Sequence, residues 1–295
     1  GLFCCYLLCL LADFLIESLK LVFGSQSGIV QFSIYSILPI IIILFYIYKR
    51  DRFPEPPRIV FMTFLLGVST IFPISLLIPV VEGFGETLNL YGEAEPFYFA
   101  FIRAAFLEAF AKWIVLIFFC VKAKEFNEPM DALVYGVAVS LGFAAYENWE
   151  YVLNPIYLDN DYQQAGVIAI IRSFSAIPLH ALAGIFMGFF LIDTIFNKEN
   201  RKLNLFLSLF FPVCLHGFYD HLLMSPNFSY QWIYALLIVM GIRAAYIFRK
   251  ESKKQKKQLF EGGFEVFEIK NSDVILVSFV SLFILSLALF LLLKI

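Results

Sequence analysis

Charge is scarce in this chain. Only 16% of its 295 residues are charged, against about 25% in an average soluble domain, while 61% are hydrophobic and the mean hydropathy is +0.81. That deficit excludes a soluble domain of useful size and leaves the bilayer as the solvent of most of the chain. Cysteine is also sparse and irregular. Cys4, Cys5, Cys9, Cys120 and Cys214 lie in apolar runs without repeated spacing, which excludes a disulfide framework and a CxxC metal site and leaves them as small packing residues. Histidine is rarer still, with three in the chain, His180, His216 and His221.

What is present is a series of apolar runs, each long enough to cross a hydrocarbon core of about 30 Å. They predict an all-α, polytopic transmembrane helical bundle with eight core spans, near residues 29–48, 59–81, 98–121, 130–152, 167–196, 203–224, 230–248 and 273–293. Basic residues are missing from every second connection. One set carries Lys49, Arg50, Arg52 and Arg58, then Lys122 and Lys124, then Lys198, Arg201 and Lys202, then six basic residues from Arg249 to Lys257. The other set carries Glu82, Glu86, Glu93 and Glu95, then Asp159 and Asp161, then the polar stretch Ser225 to Ser229. The positive-inside rule therefore predicts cytoplasmic basic loops, and the alternation supports the segmentation itself.

Residues 1–28 read as a separate unit: an apolar helix over 2–23, carrying the Asp13, Glu17, Lys20 stripe, and then a linker over 24–28. The stripe fits a ninth span or a helix lying in the interface, and a fused, substrate-like helix is a third reading. The eight-span unit is expected over 29–295. The basic run at 249–257 reads as a topology anchor against anionic lipid rather than a nucleic-acid patch, and a short amphipathic strand or helix is expected after it.

Ionisable groups at bilayer depth cost a few kcal/mol or more, so each asks for a partner and a purpose. Glu108 and Lys112 stand at i, i+4, a spacing that lets them pair on one helix face. Phe143 and Glu147 repeat that spacing, with Asn148 and Tyr151 beside them; His180 follows Arg172 in the next run; His216 and Asp220 are again i, i+4. A His and an Asp so placed share a proton, orient a water or hold a metal. The bland alternatives are a neutralising ion pair for Glu108 and Lys112, a hydrogen-bonded packing histidine for His180, and a Glu147 that only reaches water. Counting inward from the span ends at about 1.5 Å per residue puts Glu147, His216 and Asp220 in the outer half and Glu108 and His180 nearer the midplane, so one shared cavity is feasible. Ala132, Gly136, Ser140 and Ala144, with Gly184 and Gly188, would let helices close around it.

These motifs together resemble the PrsW family of intramembrane proteases, related to the CAAX prenyl endopeptidases and to the multi-pass scaffold subunit of gamma-secretase. The resemblance rests on Arg50-Asp51-Arg52-Phe53-Pro54-Glu55-Pro56-Pro57, on Glu108 to Lys112 as E-E-x-x-K, on Phe143 to Glu147 as F-x-x-x-E, on His216 to Asp220 as H-x-x-x-D, and on His180. It spans residues 32 to about 293. It implies site-1-type cleavage of a single-span, anti-sigma-factor-like membrane protein near the extracytoplasmic face of a bacterial plasma membrane. In a glutamic scheme Glu108 and Glu147, with the carboxylate missing at Ala109, deprotonate water while His216, held by Asp220, donates to the oxyanion or leaving nitrogen and Lys112 tunes a carboxylate. In a metal scheme, slightly preferred, Glu147, His180, His216 and Asp220 are the candidate zinc ligands.

One departure stands out: Ala109 occupies the second Glu position of E-E-x-x-K. The resemblance implies an inactive copy, either a deliberate knockout or a degenerate member. Two other classes stay open: a proton- or ion-coupled transporter, since buried Glu, His and Asp also serve as relays, and a noncatalytic scaffold. Neither a nucleic-acid partner nor an oligomeric state is read from the chain.

Overall fold

A backbone surrounded by lipid must satisfy its own N–H and C=O groups, and the apolar runs do so as helices. The computed structural model describes residues 28–258, 264 and 266–293. The predicted helix over 2–23, its Asp13, Glu17, Lys20 stripe, the linker up to residue 27 and Cys4, Cys5 and Cys9 lie outside the described residues. Gly28, read as the end of the linker, already opens α1.

The helices are α1 (Gly28–Tyr48), α2 (Pro57–Ser69), α3 (Ile71–Thr87), α4 (94–120), α5 (Pro129–Asp159), α6 (Tyr162–Phe174), α7 (Ala176–Phe196), α8 (Arg201–Met224), α9 (Gln231–Gln258) and α10 (Asn271–Leu292). Among the described residues, seven helical stretches are long and apolar enough to cross a membrane, with α2–α3 and α6–α7 each counted as one. The eighth expected segment is α4, whose Arg103, Glu108 and Lys112 make it more polar and whose winding alternates. It is α-helical at Ala94–Phe97, π-helical at Tyr98–Phe106, α-helical at Leu107–Val115 and π-helical at Leu116–Cys120. The chain is a multi-pass membrane protein.

α5 forms the axis of the bundle. Within its apolar window 94% of residues are buried, against 22% for α1, so α5 is enclosed by protein while α1 faces outward. It packs on α7, α2 and α1, and α7 packs in turn on α8. Small residues set the α5–α7 distance: a Cβ on Gly136 would overlap the Gly184 carbonyl oxygen, and one on Gly188 would overlap that of Ala132. Backbones this close bring the polar side chains of adjacent helices within reach of one another.

Three boundaries have local causes. Pro57 opens α2, where its missing N–H is not needed. Asn160, in the left-handed region at φ 53°, ends α5. Ser175, which donates from Oγ to the Ile171 carbonyl at 2.7 Å, separates α6 from α7. The strand or helix expected after the basic run is not formed at 266–270, which is irregular; the Phe267 amide instead donates to the Ile195 carbonyl at 2.8 Å.

Candidate active site

Four helices bring the intramembrane polar residues together. α4 supplies Glu108 and Lys112, whose ammonium meets the carboxylate at 3.2 Å as the i, i+4 spacing predicts. Both lie in the α-helical turns between the two π segments of α4, and π winding is frequent at functional sites. α8 supplies His216 and Asp220, joined at 3.2 Å between Nε2 and Oδ2. α7 supplies His180 and α5 supplies Glu147, joined at 2.8 Å between Nε2 and Oε2.

The two imidazoles are therefore held alike. Each has a carboxylate on Nε2, which fixes the proton there and leaves Nδ1 free to act as a ligand or acceptor. Those Nδ1 atoms face the α4 pair: His216 Nδ1 lies 3.7 Å from Glu108 Oε2, and His180 Nδ1 lies 3.4 Å from Lys112 Nζ. The rings sit edge to face with centroids 5.2 Å apart. One ligand atom from each of Glu108, His180 and His216 comes within 4.8 Å of the others, and all three residues are buried.

This arrangement assigns the carboxylates differently from the zinc set read from the sequence. Glu147 and Asp220 sit on the Nε2 atoms of the histidines, whereas Glu108 lies 3.7 Å from His216 Nδ1 and within 4.8 Å of a ring nitrogen of His180. Lys112 also caps the Phe143 ring, with Nζ 4.0 Å from its centroid, so the Phe143 and Glu147 pair contributes a cation–π face as well as an acid. Ala109 is buried in the apolar core beside Glu108.

Sequence reasoning gave no role to Arg172. Its Nη2 reaches Glu147 Oε2 at 2.8 Å and its Nε reaches Asn148 Oδ1 at 2.7 Å. Asn148 Nδ2 in turn donates to the Ser36 carbonyl at 2.7 Å, tying the site to α1. The available signal was an arginine in a run otherwise apolar, which needs an anion nearby. His221 turns away from the centre. Its Nε2 meets Glu93 Oε2 at 3.1 Å, in a latch where Ser225 and Asn227 also donate to Glu93. The Asn227 amide, before the Ser225 hydroxyl and the His221 ring, holds the Glu93 carboxyl below its ordinary range despite some burial.

Two imidazoles and one carboxylate, each imidazole backed by a second carboxylate, is the inventory of a catalytic metal site. Positive charge is already favoured at its centre, where the Lys112 ammonium lies beside Glu108 and His180. The donor set therefore fits a metal ion.

Comparison with known proteins agrees. The profile of the PrsW family intramembrane metalloprotease matches residues 55–245. The chain is 36% identical to Protease PrsW of Geobacillus kaustophilus over 214 residues, covering 71% of this chain and 87% of that one. It is 34% identical to Protease PrsW of Bacillus subtilis, covering 76% and 96%, and 33% identical to that of Clostridioides difficile, covering 70% and 84%. No solved structure matches. The chain belongs to the PrsW family of intramembrane metalloproteases, membrane-embedded peptidases.

Proposed function

We propose that residues 29–295 form a zinc-dependent protease domain that makes a site-1-type cut in a single-span, anti-sigma-factor-like membrane protein. The cut falls near the extracytoplasmic face of a bacterial plasma membrane, with the basic loops cytoplasmic. The observation that carries this reading is the convergence of Glu108, His180 and His216 within 4.8 Å, with Glu147 and Asp220 on the remote ring nitrogens.

Zinc held there by Glu108, His180 and His216 would supply Lewis-acid polarisation of the scissile carbonyl and activation of water. The chain's own residues do the rest. Asp220 and Glu147 hold the Nε2 protons, so that both Nδ1 lone pairs point inward. Arg172 pairs with Glu147 and orients it, and Asn148 keeps Arg172 in place. Lys112 balances Glu108 and offers a positive charge to a developing oxyanion. The position of Ala109 would carry the carboxylate that takes the proton from water; with Ala there, the site binds metal and substrate but lacks that base, and turnover is lost.

The experiment reconstitutes the protein with a tagged single-span substrate, as it stands and with Ala109→Glu, with and without a chelator. The expected result is no cleavage for the chain as it stands, cleavage after Ala109→Glu, loss on chelation and recovery with zinc. Cleavage that persists in chelator supports the glutamic scheme instead. If the Ala109→Glu protein cuts nothing but moves protons across liposomes, the protease reading fails in favour of a transporter. Ala109 itself favours a second reading, a noncatalytic scaffold, which requires a substrate that co-purifies with both forms and is cut by neither.

A further inference from the structure

At the other end of α5 lies a second gathering of carboxylates that the proposed reaction does not use. Asp51 and Glu55 come from the connection between α1 and α2, Glu128 and Asp131 from the start of α5, and Gln255 from α9. All five are buried, Asp131 completely. Asp131 and Glu147 are sixteen residues apart on one helix, about 24 Å at about 1.5 Å per residue, so this cluster is separate from the candidate active site.

One oxygen from each of Asp51, Glu128 and Asp131 lies within 4.8 Å of the other two. The Gln255 amide donates to Asp51 Oδ1 at 2.8 Å and to Glu128 Oε1 at 2.7 Å, which fixes its carboxamide inside the group. Asp131 Oδ2 accepts from the Asn127 and Glu128 backbone amides at 2.9 and 2.8 Å. A capping box at the start of α5, in which the Glu128 carboxylate also faces the Asp131 backbone amide, explains that oxygen and one of Glu128, and none of the others. Four buried oxygens remain without a hydrogen-bond partner: Asp131 Oδ1, Asp51 Oδ2, the Gln255 carbonyl oxygen and the Tyr135 hydroxyl one turn along α5. Gln255 is 3% exposed and Tyr135 0%, and neither is acidic, so the unmet demand is not confined to the carboxylates.

Among the described residues no Lys or Arg forms an ion pair with Asp51, Glu55, Glu128 or Asp131. Glu55 comes within hydrogen-bonding reach of Asp131. Burying several carboxylates without positive charge is expensive. A proton bridges one pair of oxygens; a cation at the centre satisfies the whole set at once. An oxygen-only donor set, with neither sulfur nor imidazole, selects a hard ion.

We propose that this cluster is a structural site for a hard divalent cation, Mg²⁺ or Ca²⁺, held by Asp51, Glu128, Asp131 and the Gln255 carbonyl oxygen, which fastens the α1–α2 connection and α9 to the start of α5.

The test uses the full chain in detergent, loaded with zinc and dialysed free of Mg²⁺ and Ca²⁺. It is titrated with Tb³⁺, read by tyrosine-sensitised emission, and then with Ca²⁺ or Mg²⁺ as competitors; thermal unfolding is followed in parallel. Saturable emission displaced by one of these ions, which also raises the unfolding midpoint, supports the site, and the better competitor identifies its ion. Asp131→Asn and Gln255→Leu should each weaken binding by about tenfold or more. Tyr135→Phe should dim the emission. Gln255→Leu keeps all four carboxylates, so it remains decisive if Asp131→Asn does not fold. Absence of displaceable binding, or unchanged affinity in Gln255→Leu, overturns the proposal. So does a higher unfolding midpoint for Asp131→Asn with no response to either ion, since the cluster would then be held by protons.

Discussion

At the Glu147 end of α5, seven ionisable side chains from five helices are cross-bonded: Glu108 to Lys112, Glu147 to Arg172 and His180, His216 to Asp220. At the Asp131 end, four carboxylates meet one amide and a hydroxyl, and several oxygens are left unmet. Both clusters are largely buried, and the same helix carries part of each. The first mixes acids, bases and imidazoles, so that the protein itself neutralises most of the charge and keeps two ring nitrogens pointed at one place. The second is almost all acid and oxygen, and among the described residues no Lys or Arg neutralises it. Pairing within the first makes a site poised for chemistry; the missing pair in the second makes a fastening.

The largest effect that would sharpen this contrast comes from the ligands of the first cluster. His216→Ala, or His180→Ala, should weaken zinc binding by more than about 100-fold while leaving Tb³⁺ binding at the Asp131 end unchanged, as read by metal analysis after dialysis. Arg172→Met should follow. It strands the Glu147 carboxylate and the Asn148 carbonyl oxygen in the interior, and losing one member of such a buried pair costs roughly 3 kcal/mol, measured by denaturant unfolding in detergent. The conservative Arg172→Lys should recover part of that loss, because Lys restores the charge but cannot reach both partners with one planar fork.

How much of this was legible in the sequence differs between the two ends. The helical spans and the family followed from apolar runs and ordered motifs, and the pairs Glu108–Lys112 and His216–Asp220 followed from i, i+4 spacing on one helix. Which carboxylate converges with the two imidazoles did not follow. That depends on the rotation of α4 about its axis, and its π segments displace the register that a regular helix would have. The Asp131 end was opaque for another reason. Asp51 and Gln255 lie 204 positions apart, and no periodicity within one segment reports a meeting of two distant connections. Asp51 and Glu55 were visible only as part of a motif, with no indication of what they touch.

Smaller effects test the supporting residues. Asp220→Asn and Glu147→Gln remove the charge behind an imidazole without removing a ligand, and each should weaken zinc by about 10- to 100-fold in competition with a chelator of known affinity. If either abolished binding as fully as His216→Ala does, that carboxylate would itself be a ligand and Glu108 would lose its place. The smallest expected effect is that of Asp131→Asn on the active centre. Zinc stoichiometry should stay at that of the parent, because the two clusters share α5 but no side chain.

The central claim is that two imidazoles and one carboxylate, from α4, α7 and α8, converge on a single metal ion. X-ray absorption at the zinc edge of the zinc-loaded chain tests it most directly. The expected spectrum has two imidazole nitrogens, light oxygen donors and no sulfur, with one imidazole lost in His216→Ala and one oxygen donor altered in Glu108→Gln. A chain that retains no zinc after loading, or one whose zinc has a single imidazole or none, would contradict it.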